Sequence, residues 1–137
     1  MKIEYTTDMS SITEDMLSGF FVGWPNPPSK TMHYKILLSS YCSFLAIDKD
    51  SKRVVGFINA ISDGVLTAYI PLLEVLPEYQ GKGIGNELVR QILEELNDLY
   101  MIDICHDKEL SNYYAKFGAH QSYSSLFRNY NAQSGRV

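Results

Sequence analysis

The sequence has no long hydrophobic run. No stretch approaches the roughly 18 consecutive apolar residues that cross a bilayer, and residues 1–8 lack the apolar segment of a signal peptide. We therefore expect no membrane contact and a cytoplasmic protein.

Cysteine and histidine are scarce. The two cysteines, Cys42 and Cys105, sit in apolar, strand-like runs, which favours reduced, buried thiols over a disulfide or a nucleophile. The three histidines, His33, His106 and His120, are scattered without ligand spacing. Cys105 and His106 are adjacent on a predicted strand and should face opposite sides, so we expect no metal site.

Positively charged residues are also fewer than negatively charged ones. The chain has 12 Lys and Arg against 16 Asp and Glu, a net charge of -4 and a pI near 5.3. Nucleic-acid binding needs basic surface, so this balance argues against a nucleic-acid partner and suits a cationic one. The 137 residues, 45% of them hydrophobic, are enough for one domain over residues 1–137, in which 131–137 read as a frayed, flexible tail.

The most informative stretch runs through three glycines into an amphipathic helix. Gly81, Gly83 and Gly85 have no Cβ, so an anion can approach their amides closely at a helix start, where N–H groups lack intrahelical partners. The apolar residues that follow at helical spacing are Ile84, Leu88, Val89, Ile92, Leu93, Leu96 and Leu99. This pattern predicts a phosphate-binding turn.

Two common phosphate-binding patterns are absent from this stretch, and their absence limits the choice of ligand. The dinucleotide fingerprint fails, because Asn86 or Leu88 falls where its third glycine should be, and no P-loop Gly-Lys-Ser/Thr occurs. Residues 80–85, Gln-Gly-Lys-Gly-Ile-Gly, resemble the Q/R-x-x-G-x-G/A pyrophosphate loop of the GNAT superfamily of N-acetyltransferases, and residues 73–79 resemble the strand before it. The resemblance implies acetyl-CoA as cosubstrate.

A second motif lies later in the chain. Residues 112–119, Asn-Tyr-Tyr-Ala-Lys-Phe-Gly-Ala, resemble the late helix of the same superfamily, and Tyr114 falls where many members place the general acid. Two departures are visible. Ala119 stands where the family usually has a phenylalanine, a change that affects packing only. Asp107 stands where an asparagine of the family often faces the cofactor.

The resemblance implies the remaining site. The implied cofactor-binding residues are Leu73, Val75, Gln80, Gly81, Lys82, Gly83, Ile84, Gly85, Asn112 and Lys116. Pro71 cannot donate to a ladder, so it predicts a bulge that leaves a free N–H near residues 73–75 for an oxyanion. The proton acceptor stays open between Glu74 and a water chain through Tyr69. Trp24 is either a lid over the acceptor amine or an aromatic plug for its proline-rich loop.

The predicted fold is a single α/β (α+β) domain of GNAT type. It has a mixed sheet of six or seven strands, a splay between the fourth and fifth, and about four helices. Strands are predicted at residues 2–6, 41–47, 54–61, 66–75, 101–105 and, as one or two strands, 122–130. Helices are predicted from a capping box at residues 11–14, from Ser29 to Ser39, after Gly83, and over residues 110–117.

The function that follows is N-acetyl transfer. The resemblance implies that a primary amine of a small molecule or peptide attacks acetyl-CoA directly in a ternary complex. The alternative is a catalytically silent, acyl-CoA-binding regulatory module. Many members of the family pair through the sheet or the C-terminal strands, so a homodimer is also open.

Overall fold

A five-stranded sheet carries three α-helices. The computed structural model describes residues 1–136. The strands are β1 (Ile3–Thr6), β2 (Cys42–Asp48), β3 (Arg53–Ser62), β4 (Thr67–Val75) and β5 (Met101–Ile104). The helices are α1 (Lys30–Ser39), α2 (Ile84–Glu95) and α3 (Ser111–Ala115).

The strands lie in the order in which the chain makes them. The strands β1 to β4 are antiparallel neighbours. Short turns join β2 to β3 and β3 to β4, whereas α1 lies between β1 and β2. The crossover through α2 makes β5 parallel to β4. The predicted mixed sheet, with one parallel pair after the long helix, is confirmed.

The ladder between β3 and β4 is interrupted at Pro71. Asn59 pairs with Leu72 and Ile61 pairs with Tyr69, which leaves Ala60 opposite two residues of β4. Proline has no N–H to donate, so the extra residue is accommodated here as a bulge. The predicted irregularity at Pro71 is confirmed.

Apolar residues pack on both faces of the sheet. The α2 face holds the larger cluster, in which Ile58 and Ile70 of the sheet meet Leu88 and Ile92 of α2. The opposite face, towards α1, holds a smaller cluster around Leu45 and Phe57. Alternation along the strands supplies both clusters.

The two longest helices begin where the sequence predicts. The Ser29 hydroxyl accepts the Met32 N–H at 3.1 Å and caps α1. The left-handed Gly83, with φ +84°, precedes α2. The predicted apolar face of α2 is buried or packed on the core, which confirms that helix.

The N-terminal helix predicted from residues 11–14 is wrong. Two separate 3-10 helices occur instead, Met9–Ser11 and Glu14–Leu17. Between them Ile12 and Thr13 have extended backbone conformations, and Ile12 is buried in the smaller apolar cluster, so the chain leaves helical geometry there. Among the described residues the α-helices therefore number three, not four.

The strands predicted over residues 122–130 are also wrong. This segment forms no ladder in the described structure, and the sheet has five strands, not six or seven. Tyr123 and Phe127 are 103% and 89% exposed, so pairing here would gain little packing. A 3-10 helix, Tyr130–Ala132, lies where the predicted tail begins. The side-chain oxygen of Gln133 accepts the Asn26 N–H at 2.8 Å. Val137 lies outside the described residues.

Candidate active site

The sheet opens between β4 and β5. Their ladder ends at Ile70 and Ile104, whereas β4 continues along β3 as far as Val75. The Leu76 N–H donates to the Val55 carbonyl at 2.9 Å. Because bonding direction alternates along an antiparallel strand, Leu73 and Val75 turn their backbone groups away from β3, towards the open side. This is the predicted splay, and it leaves the N–H groups of Leu73 and Val75 without a strand partner, whereas the Val75 carbonyl accepts the Gln80 amide.

The glycine loop follows immediately. Gly81 and Gly83 have φ of +75° and +84°, and a Cβ on either would meet no atom within 4 Å. Their glycine identity is therefore required by the backbone conformation, and the space above them is open. The N–H groups of Ile84, Gly85 and Asn86 lie in the first turn of α2, where they have no intrahelical acceptor and meet the positive end of the helix dipole.

A cavity of about 410 Å³ lies over this loop. Seven of its lining residues belong to the predicted cofactor set: Val75, Gln80, Gly81, Gly83, Ile84, Gly85 and Lys116. Of the rest of that set, Leu73, Lys82 and Asn112 do not line it, and the side chains of Lys82 and Asn112 are exposed. The structure thus gathers most of the predicted set around one cavity.

Three further lining residues were not predicted: Tyr79, Asn86 and Tyr113. The Lys116 ammonium lies 3.2 Å from Asn86 Oδ1 and 4.4 Å from the centre of the Tyr113 ring. A Cβ on Gly85 would lie 3.6 Å from the Tyr113 hydroxyl. Tyr113 and Tyr79 stand within or beside the two sequence motifs, so proximity to those motifs was the available signal.

Two side chains tie the loop to the sheet. The Gln80 amide donates to the Val75 carbonyl at 3.0 Å. The Tyr79 hydroxyl donates to Asp48 Oδ2 at 2.5 Å, and this bond holds the pKa of Asp48 below its usual range. The loop is therefore braced from β2 and from β4.

Tyr114 lines a second, apolar cavity of about 200 Å³ beside the end of the β4–β5 ladder, together with Ile70 and Ile104. It is 7% exposed, and its ring lies 4.7 Å from that of His106. Burial, with a smaller contribution from Tyr113, raises the pKa of Tyr114 to about 12. Its hydroxyl is therefore protonated at neutral pH and can donate.

The Glu74 carboxylate already has two donors. Its Oε1 accepts the Phe21 N–H at 2.8 Å, and its Oε2 accepts the Val22 N–H at 3.2 Å. The side chain lies on the same face as Phe57, its cross-strand partner on β3. Both oxygens are thus engaged by a backbone segment more than fifty residues upstream.

Tyr69 has a partner of its own. Interaction with the Cys105 thiol is the main reason that the pKa of Tyr69 is raised. Glu74 lies five residues further along β4, about 16 Å at the rise of an extended strand. The two candidate proton acceptors, Glu74 and a water chain through Tyr69, are therefore well separated along the strand.

The two cysteines are free thiols and only half-buried, which corrects the expectation of buried ones. The Cys105 thiol donates to the Ser124 hydroxyl at 3.5 Å, because residue 105 lies just beyond β5 and meets the C-terminal segment. Within residues 1–136, no group of three metal-ligating side chains is found, and no helix is long and apolar enough to span a bilayer.

Trp24 lies in the loop before α1. Its ring is 4.9 Å from that of Phe21, and its backbone N–H donates to the Phe21 carbonyl at 3.2 Å. The side chain is 38% exposed. Trp24 is thus packed on one side and open to solvent on the other.

The site thus combines a split sheet with a glycine loop at a helix start, and comparison with known sequences gives the family of the chain. The model of the acetyltransferase (GNAT) family matches residues 9–119. This chain belongs to the GNAT acetyltransferase family.

Related sequences also carry acetyltransferase names. An N-acetyltransferase named ycf52 from Gracilaria tenuistipitata var. liui is 31% identical over 100 residues, 71% of this chain and 55% of that protein. A histone acetyltransferase, TAP1, of Glycine max is 31% identical over 108 residues, covering 71% of this chain and 46% of TAP1. The chain spans about half the length of the curated relatives it matches.

Solved structures resemble this protein over almost its whole chain. A Deinococcus radiodurans protein described as an acetyltransferase shares 40% identity and a TM-score of 0.95, covering 98% of this chain and 94% of that one. A GNAT family protein from Streptococcus pneumoniae, 24% identical with a TM-score of 0.72 over 93% of this chain and 97% of that one, shares the fold.

Proposed function

We propose that this protein transfers the acetyl group of acetyl-CoA to a primary amine of a small molecule or peptide, by direct attack in a ternary complex. One observation carries the proposal: the opening between β4 and β5 leads directly into a loop whose amides converge on an open cavity. The first feature suits an extended arm with amides of its own, and the second suits a diphosphate.

The residues present fit this cosubstrate. The N–H groups of Ile84, Gly85 and Asn86 would hold the pyrophosphate, and Lys116 adds a positive charge at the same cavity. The N–H and carbonyl of Leu73 and the N–H of Val75 would pair with the pantetheine amides as a missing strand would. No metal ion is needed for either contact.

The chemistry needs a donor for the carbonyl oxygen. As the amine nitrogen bonds to the thioester carbon, negative charge develops on that oxygen. An outward N–H of Leu73 or Val75 is the proposed donor, because it lies in the opening and has no strand partner. A fixed donor of this kind is typically worth about 3 kcal/mol.

Tyr114 is the proposed acid. When the carbon–sulfur bond breaks, the leaving thiolate takes a proton, and the buried, protonated hydroxyl of Tyr114 lies beside the opening to supply it. The amine must lose its own proton before it attacks, and a water chain is the proposed acceptor, since both oxygens of Glu74 are engaged.

The acceptor is proposed to be a cationic amine. The net charge of -4 favours such a substrate, and one relative is named a histone acetyltransferase. The acceptor would approach from the side of the Trp24 loop, which is held to β4 beside the opening.

A homodimer is also proposed. The apolar side chains of Tyr123, Leu126 and Phe127 are exposed, and the outer edge of β5 has no strand partner among the described residues. Light scattering on the purified chain tests this: twice the monomer mass supports the dimer, and the monomer mass contradicts it.

The test of the function has two parts. Acetyl-CoA should raise the melting temperature, whereas NAD and ATP should not, and a panel of amines should then release free thiol from acetyl-CoA. Equal stabilisation by ATP would refute the cosubstrate. Stabilisation by acetyl-CoA without thiol release from any amine would favour the alternative, a silent acyl-CoA-binding regulatory module.

A further inference from the structure

Glu74 joins two parts of the molecule that are far apart in sequence. Its two carboxylate oxygens accept the consecutive N–H groups of Phe21 and Val22 at 2.8 and 3.2 Å. Consecutive amides that turn towards one anion form a concave binding site for it. Here the anion is a side chain of the protein, so the arrangement is a clasp between β4 and the loop of residues 19–24.

The loop is shaped to meet this carboxylate. Phe21 has φ +61°, a left-handed conformation that a bulky side chain rarely adopts. Gly19 and Gly23 on either side have φ of +93° and +83°. Residues held in such conformations persist only where the surroundings over-determine them, and the bond to Glu74 supplies one constraint.

The clasp reaches Trp24 through Phe21. The two rings pack at 4.9 Å, and the backbone N–H of Trp24 donates to the Phe21 carbonyl. Phe21 itself is buried against His33, at 4.9 Å between ring centres. The position of Trp24 is thus fixed by Phe21, and that of Phe21 by the core and by Glu74.

The other end of the clasp lies at the opening in the sheet. Glu74 stands between Leu73 and Val75, whose backbone groups face the proposed acyl arm. One strand therefore carries the proposed oxyanion donor and, through its intervening side chain, the loop on the acceptor side.

We infer that Glu74 is a positioning residue that holds the Trp24 loop against β4 and thereby sets the affinity for the acceptor amine. It does not take the proton of that amine. The inference rests on the proposed function for its substrate, but the clasp itself is measurable without turnover.

The first test needs no activity. Trp24 is the only tryptophan of the chain, so tryptophan emission, excited at a wavelength that the ten tyrosines do not absorb, reports on this loop alone. In Glu74→Ala and Glu74→Gln the emission should shift to the red, and acrylamide should quench it more strongly than in the parent. The matched control is Glu95→Gln, an exposed glutamate on α2. Unchanged quenching in both Glu74 variants would overturn the clasp.

The second test separates positioning from proton transfer. In Glu74→Gln the KM for the amine should rise about tenfold, whereas kcat, the affinity for acetyl-CoA and the pH profile of kcat should match the parent. Loss of a general base would instead lower kcat by about 10²- to 10⁴-fold and remove a limb of that profile. The second pattern, or an unchanged KM, would overturn the positioning role.

The two proposals fail in different ways. If the parent acetylates no amine, the proposed function fails, while the Trp24 measurement still decides the clasp. If the parent is active and the Glu74 variants keep both its fluorescence and its KM, only the clasp fails.

Discussion

The side-chain amide of Gln80 donates to the backbone carbonyl of Val75 at 3.0 Å. This bond joins the first residue of the glycine motif to the last residue of β4. The glycine loop, which lines the proposed phosphate cavity, and the strand at the opening are therefore coupled through one side chain.

Gln80→Ala should weaken acetyl-CoA binding, because the loop loses its tie to β4 and must be ordered when the ligand binds. We expect the Kd to rise about tenfold, measured by calorimetry. Gln91→Ala is the matched control, since the Gln91 amide donates only to Glu87 on the surface of α2. An unchanged Kd for Gln80→Ala would remove this residue from the site.

Gly83→Val should abolish acetyl-CoA binding. The substitution places a branched side chain in the open space above the loop and forces a left-handed backbone, at a cost of about 1–3 kcal/mol. Gly64→Val introduces comparable strain at φ +74° in the β3–β4 turn, away from the cavity. The control should lose stability but keep affinity, and retained affinity in Gly83→Val would place the phosphates elsewhere.

Tyr114→Phe should lower kcat by about 10²- to 10⁴-fold and leave the affinity for acetyl-CoA unchanged, because only the proton donor is removed. Steady-state rates of thiol release and a separate binding titration measure the two quantities. Tyr123→Phe, at a fully exposed tyrosine, is the control. A parental kcat in Tyr114→Phe would contradict the assignment.

His33 should make the protein less stable in acid. It is buried among aromatic rings, neither ring nitrogen has a hydrogen-bond partner among the described residues, and burial lowers its pKa to about 4. Between pH 6.5 and 4 the unfolded chain binds a proton that the folded one does not. The free energy of unfolding should therefore fall by up to about 3 kcal/mol as the pH drops through this range.

Urea unfolding at a series of pH values measures this dependence. His33→Leu removes the titrating group, so its stability should vary less with pH than that of the parent. His120→Gln, at an exposed histidine, should keep the parental slope. A parental slope in His33→Leu would show that other groups cause the acid sensitivity.

Local patterns predicted the central part of the fold. The glycines at 81 and 83, the proline at 71 and the apolar period of α2 act through backbone geometry and burial within a few residues. For that reason the loop, the bulge and the opening follow from the sequence.

The parts that failed depend on distant contacts. The segment around Tyr123 is predicted as strand. No other part of the described structure buries either face of this segment, so a strand there gains no packing. The predicted N-terminal helix is broken at Ile12 and Thr13, which are extended, and Ile12 is buried against distant residues of the smaller apolar cluster. The two donors on Glu74 come from residues 21 and 22, a contact that no local pattern indicates.

The central claim is that backbone amides of the glycine loop and of the outer side of β4 hold acetyl-CoA. Titration of ¹⁵N-labelled protein with acetyl-CoA, followed by amide chemical shifts, tests it most directly. The largest shifts should fall on Gly81 to Asn86 and on Leu73 and Val75. Large shifts on another surface, with these amides unmoved, would contradict it.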